Sequence, residues 1–114
     1  MKFKKKIPRT YSVGLKKNII IKDMGSMELL PNEQITFLTK SKKRYDFCKK
    51  NWGFYATPSV NFRLRKEGFK TALVRNSFNR LYVMVVEKKF MLQFKKYCKK
   101  EKQKIVIWLD DYIT

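Results

Sequence analysis

The arginines are the side chains of this 114-residue chain whose type and spacing most favour a chemical role. Four of the six lie within one short stretch: Arg63, Arg65, Arg75 and Arg80. A guanidinium group binds a phosphate or carboxylate through two parallel hydrogen bonds, which a lysine ammonium does not. Lysine is the common cation elsewhere in the chain, so this cluster predicts an anion site. The alternative is structural, with the arginines stacked on aromatic rings or paired with Glu67 and Glu87.

The segment before these arginines predicts a second place for the same anion. Thr57 is typical of a helix N-cap, and Pro58 of the first helical position. Free N–H groups at a helix start favour a bound anion. The Thr57 and Ser59 hydroxyls and the Asn61 amide would then complete the site. The alternative is an ordinary capped helix that binds nothing.

Three aromatic residues precede that helix start: Trp52, Phe54 and Tyr55. If exposed, they would stack on bases or sugar rings, as in single-strand binders. Strand alternation places Trp52 and Phe54 on one side and Tyr55 on the other, so we expect at least one of them in the core. Known RNA-binding signatures and a zinc-binding Cys/His array are absent from the sequence, so the nucleic-acid signal is electrostatic.

Catalytic constellations are not found in the sequence. Histidine is missing, so neither Cys48 nor Cys98 has the usual general base. Asp110 and Asp111 are adjacent, and neighbours in a strand point to opposite faces, which argues against a paired acid and base. We expect no catalytic residue, no cofactor and no metal.

Charge is the strongest global feature. The chain has 28 Lys and Arg against 9 Asp and Glu, a formal net charge of +19. Abundant Lys, Asn, Ile, Phe and Tyr is typical of an AT-rich genome, which accounts for part of the lysine. The shortage of acidic residues still points to an anionic partner.

The elements that must position these residues follow from periodicity and turn signals. We predict an α+β fold, with two helices packed on a mostly antiparallel or mixed sheet, in the order β-(β)-β-β-α-β-β-α-β. The predicted strands cover 18–22, 27–30, 34–39, 44–48, 71–76, 80–87 and 105–109, with a turn at 23–26. The predicted helices cover 58–67, with Gly68 as its left-handed cap, and 88–103.

Domain organisation is predicted from composition. Residues 1–17 form a basic arm that we expect to be mobile on its own, and residues 18–114 one domain. The longest apolar run, Ile105 to Leu109, is too short to span a bilayer, and no apolar segment of a signal peptide follows the N-terminus. Reduced, buried cysteines suit a cytoplasmic location, although one disulfide remains an alternative.

Three parts of the sequence resemble a family of short uncharacterised bacterial proteins associated with surface-polysaccharide biosynthesis gene clusters. They are the segment from Trp52 to Ser59, with 71–76, and the closing Trp108-Leu109-Asp110. The resemblance spans roughly residues 18–111. It implies an accessory role in handling an acidic or nucleotide-linked sugar and assigns no site residue.

Two functions follow from these observations. The first is a non-catalytic module that binds a polyanion, most simply nucleic acid, through phosphate contacts from the arginines and the basic arm. The second is an accessory protein of surface-sugar biosynthesis that binds an anionic or nucleotide-linked sugar or a partner enzyme. Steep salt dependence would favour the first, because many phosphates are then contacted.

Overall fold

The computed structural model describes residues 1–113, apart from the side chain of Lys6. This part of the chain is α+β and mostly sheet, as predicted, but its strands form three sheets where the sequence predicts one. The strands are β1 (Lys2–Val13), β2 (Ile19–Glu28), β3 (Gln34–Leu38), β4 (Arg44–Lys50), β5 (Gly53–Ala56), β6 (Phe69–Arg75), β7 (Leu81–Glu87) and β8 (Lys104–Trp108). The helices are α1 (Arg63–Glu67) and α2 (Met91–Lys100). None of the helices in the described part of the chain has the length and apolar content needed to cross a membrane.

The chain divides into two compact units. The first comprises Met1–Ile35 and Phe47–Tyr55, and the second comprises Thr36–Asp46 and the described chain from Ala56 onward. The chain passes between them within β3, within β4 and at the end of β5. These boundaries lie within or at the end of strands, where the amino-acid composition does not change. The predicted boundary at residue 17 instead follows a change in the density of lysine and arginine along the sequence.

The N-terminal residues form a strand where the sequence predicts an arm. β1 pairs with β2 in an antiparallel ribbon, from Val13 opposite Ile19 to Lys2 opposite Glu28. The pairing shifts register between Lys5 and Arg9. Pairing with the β-branched residues of β2 therefore orders this segment. Its lysines, considered alone, predict a solvated arm.

The predicted turn at 23–26 is wrong, because β2 runs through it to Glu28. Gly25 has a φ of +136°, and a Cβ built there would lie 2.3 Å from the Lys4 carbonyl oxygen. The glycine thus permits close approach of β1 beside the register shift instead of reversing the chain.

The second unit is built on a sheet of order β7-β6-β8, with both pairings antiparallel. The predicted hairpin of β6 and β7 is confirmed, and Asn79 takes positive φ in its turn. Ala72 and Val74 of the central strand are fully buried. α2 buries Cys98 and places the Phe94 ring edge-on to Trp108, with ring centres 6.1 Å apart. Cys48 and Cys98 are both buried free thiols.

α1 is shorter than predicted, since it begins at Arg63 and not at Pro58. The Thr57 N–H donates to the carbonyl of Asp46 in β4 at 2.9 Å, in the bend that follows β5, and not at a helix start. Ser59 instead receives the first helical N–H groups, with its hydroxyl accepting from Arg63 N at 3.0 Å. Gly68 ends the helix in the left-handed conformation, as predicted. The predicted helix over 88–103 is a 3-10 turn, Lys88–Phe90, followed by α2.

Candidate functional site

Arg63 lies at the start of α1 and neutralises a buried carboxylate. Its Nη1 is 3.2 Å from Oδ2 of Asp46, a buried residue of β4. Its Nη2 donates to the Thr57 hydroxyl at 3.2 Å. The guanidinium group therefore compensates the desolvation of Asp46, so its partner is an internal anion.

Arg65 and Lys70 form a second ion-paired group with Asp110 and Asp111, here called the carboxylate cluster. Asp110 is fully buried and accepts from Lys70 Nζ at 2.7 Å and from Thr71 N at 3.0 Å. Asp111 accepts from Arg65 Nη2 and from Lys70 Nζ, each at 3.1 Å. Arg65 also donates to the Asp110 carbonyl.

The adjacent aspartates are not on opposite faces of a strand, because they lie in a 3-10 turn, Leu109–Asp111. Burial opposes ionisation of Asp110, but the hydrogen bonds from Lys70 and Thr71 outweigh it and lower the pKa of this carboxyl. The same pairing raises the pKa of Lys70 against the effect of burial. Lys70 thus stays protonated at neutral pH, which suits an ion-pair anchor and not a nucleophile or general base.

The four arginines of the predicted anion site have separate local roles. Arg63 pairs with Asp46, and Arg65 pairs with Asp111, so neither uses Glu67 or Glu87. Arg75 ends β6 and is exposed. Arg80 is also exposed, and its backbone N–H donates to Asn76 Oδ1 at 2.9 Å within the hairpin turn.

The predicted anion site at Thr57, Ser59 and Asn61 does not lie in the first turn of a helix, because α1 begins at Arg63. The Thr57 hydroxyl contacts Asp46 O and Arg63, and the Ser59 hydroxyl accepts from the Arg63 N–H. Asn61 is exposed in the turn before α1. Both hydroxyls therefore bind groups of the chain itself. The sequence predicts instead that they bind a ligand.

Trp52, Phe54 and Tyr55, here called the aromatic patch, belong to the first unit. All three are exposed, Trp52 to 72%, so the prediction that one of them is core is wrong. The Trp52 and Tyr55 rings stack with centres 6.1 Å apart and planes at 28°. Lys49 Nζ lies 5.5 Å from the centre of the Phe54 ring. Phe54 and Tyr55 are neighbours in β5 and point to opposite faces, yet both are exposed, so neither face of β5 is covered at these residues.

α2 carries a basic face that the sequence analysis did not single out as a site. Its exposed lysines are Lys95, Lys96, Lys99 and Lys100. Their spacing of one and four residues places them side by side on the helix, and the sequence from Lys88 to Lys100 contains no acidic residue. This spacing is the signal that could have identified the face.

Compared with protein-family models, curated proteins and solved structures, the chain matches none of them.

Proposed function

We propose that this protein is a non-catalytic module that binds nucleic acid, with unpaired bases stacking on the aromatic patch. The observation that carries the proposal is the exposure of Trp52, Phe54 and Tyr55, with the Lys49 ammonium beside the Phe54 ring. Aromatic rings cost free energy when left in water, and each base has a π-face that covers them without regard to sequence. Single-stranded nucleic acid is therefore the form that this surface suits best.

Charge supports the same ligand. The first unit has ten Lys and Arg and only three Asp and Glu. Two of those acidic residues are engaged within the unit. Asp23 pairs with Arg9 at 3.4 Å, and Glu33 pairs with the N-terminal amine at 3.1 Å. Lys2, Lys4, Lys5 and Lys22 of the β1–β2 ribbon are exposed. They can meet phosphates, in place of the internally paired Arg63 and Arg65.

The test replaces Trp52 with alanine and measures binding of a fluorescent oligothymidylate by anisotropy. Base–aromatic stacking contributes about 1–3 kcal/mol per base, so we expect Trp52→Ala to weaken binding by about 5- to 150-fold. Phe78→Ala is the matched control, because Phe78 is 71% exposed but lies in the β6–β7 turn. We expect it to bind as the unchanged protein does.

Equal affinities of Trp52→Ala and Phe78→Ala would overturn the proposal for the aromatic patch. A duplex of the same length separates stacking from charge. Charge alone would favour the duplex, whose phosphates are denser, whereas stacking favours the single strand.

A further inference from the structure

β7 is an edge strand whose composition differs from the rest of the chain. It pairs with β6 on one side and is last in the sheet order β7-β6-β8. The run Leu81–Val86 contains no charged residue, no proline and no glycine, although 32% of the chain is charged. Edge strands normally carry such residues because they block pairing with another strand.

Two other edge strands of this protein carry such protections. β8, the opposite edge of the same sheet, begins with Lys104, and its register with β6 shifts at Leu73/Val74. β1 has several lysines and its own register shift. β7 keeps continuous register with β6 from Phe69–Glu87 to Arg75–Leu81. β3 is also an uncharged edge, but it has only five residues. β7 therefore combines the longest uncharged run among the edge strands of the described chain with an unbroken register.

An open groove of about 650 Å³ follows this edge. Five consecutive residues, 83–87, line it. Because neighbouring side chains of a strand point to opposite faces, a groove lined by all five runs along the strand edge. Phe90, Phe94 and Tyr97 of the α2 region form an aromatic wall. An edge strand beside a helix is a geometry that receives an added peptide strand.

The charges at the ends of β7 indicate the occupant. Arg80 precedes the strand, and Lys88 and Lys89 follow its last residue, Glu87. The Glu87 carboxylate already accepts from the Ser41 hydroxyl at 3.2 Å, so the charges at the two ends that are left for a partner are cations. We propose that β7 and the groove bind an extended apolar segment of a partner protein that has acidic residues at its ends. A second copy of this chain fits less well, because each copy has a net charge of +19 and two such copies repel each other.

The test uses a labelled synthetic peptide with alternating valine and threonine between pairs of glutamates. Its control keeps the glutamates but replaces every valine and threonine with proline, which removes all N–H donors between the glutamates at equal charge. We expect the first peptide to bind at least ten-fold more tightly, measured by anisotropy in 0.3 M salt, where simple charge attraction is screened. Equal binding of the two peptides would overturn the proposal.

Two variants locate the binding on the protein. Val83→Lys adds a charge at the groove, and we expect it to weaken binding at least ten-fold. Val106→Lys adds the same charge on β8 and should leave binding unchanged; the two valines are 61% and 50% exposed. Equal effects would rule out the β7 edge, and circular dichroism checks that both variants fold. Self-association in sedimentation that Val83→Lys abolishes would identify a second copy as the occupant and overturn the partner assignment.

Discussion

Asp110 shows at the scale of one residue how this basic protein uses its few carboxylates. A buried carboxylate has lost its hydration, and only strong compensation keeps it ionised. Lys70 at 2.7 Å and the Thr71 N–H at 3.0 Å give that compensation. Acidic residues here do more than balance surface charge, because Asp46 and Asp110 each hold a basic side chain in place.

We predict that Asp110 makes stability depend on pH. Its pKa is lower in the folded chain than the ordinary value of 3.8. The folded state therefore binds its proton less readily, and the stabilisation is complete above the ordinary pKa and is lost as pH falls through the folded pKa. Asp110→Asn should reduce the free energy of unfolding by about 2 kcal/mol at pH 7, from loss of a charged hydrogen bond.

Urea unfolding at pH 7 and at acid pH measures this effect. The difference between Asp110→Asn and the unchanged protein should narrow as pH falls. Asp111→Asn is the control, since Asp111 is exposed and pairs at the surface, where ion pairs contribute little. A difference that stays constant with pH would show that the ionised carboxylate is not the stabilising species.

At the scale of elements, the β1–β2 ribbon depends on a residue without a side chain. Gly25→Ala would combine an unfavourable positive φ with a contact of 2.3 Å to the Lys4 carbonyl oxygen. We expect about 1–3 kcal/mol of local destabilisation from the strained backbone, and more from the contact. Hydrogen exchange of the β1 and β2 amides measures it.

Gly53→Ala provides the comparison for that prediction. Gly53 also has a positive φ, +146°, but a Cβ there has nothing within 4 Å. It should therefore have the conformational cost without the clash. If both variants were equally destabilised, close strand approach would not be the reason for glycine at position 25.

At the scale of the whole molecule, the net charge of +19 is spread over both units. We expect affinity for oligothymidylate to fall steeply with salt, with a logarithmic slope of about −0.7 per phosphate contacted. Replacing Lys2 and Lys4 of β1 with glutamine should reduce the magnitude of that slope by about 1.4 if each contacts one phosphate. Titration of the oligonucleotide at several salt concentrations measures it.

The matched pair for this measurement is Lys40→Gln with Lys42→Gln, in the turn between β3 and β4 of the second unit. It makes the same change in net charge. An equal reduction of slope in both double variants would mean that general charge, and not the ribbon, governs the interaction.

Local patterns were sufficient for several elements of this protein. The β6–β7 hairpin, the left-handed Gly68 and the α+β class follow from turn residues and periodicity, because those signals act between near neighbours in the chain. The absence of histidine and the excess of lysine are likewise properties of the sequence itself.

The partners of the charged groups were decided only by the tertiary structure. Folding brings Arg63 to Asp46 and Arg65 to Asp111, although the two residues of each pair are far apart in sequence. The ordering of β1, the short α1 and the exposure of the aromatic patch also depend on contacts that no local window contains. The sequence alone thus determined that this protein is strongly basic and has no histidine. Folding decided which cations are neutralised internally, because an arginine that lies beside a buried carboxylate pairs with that carboxylate and not with a ligand.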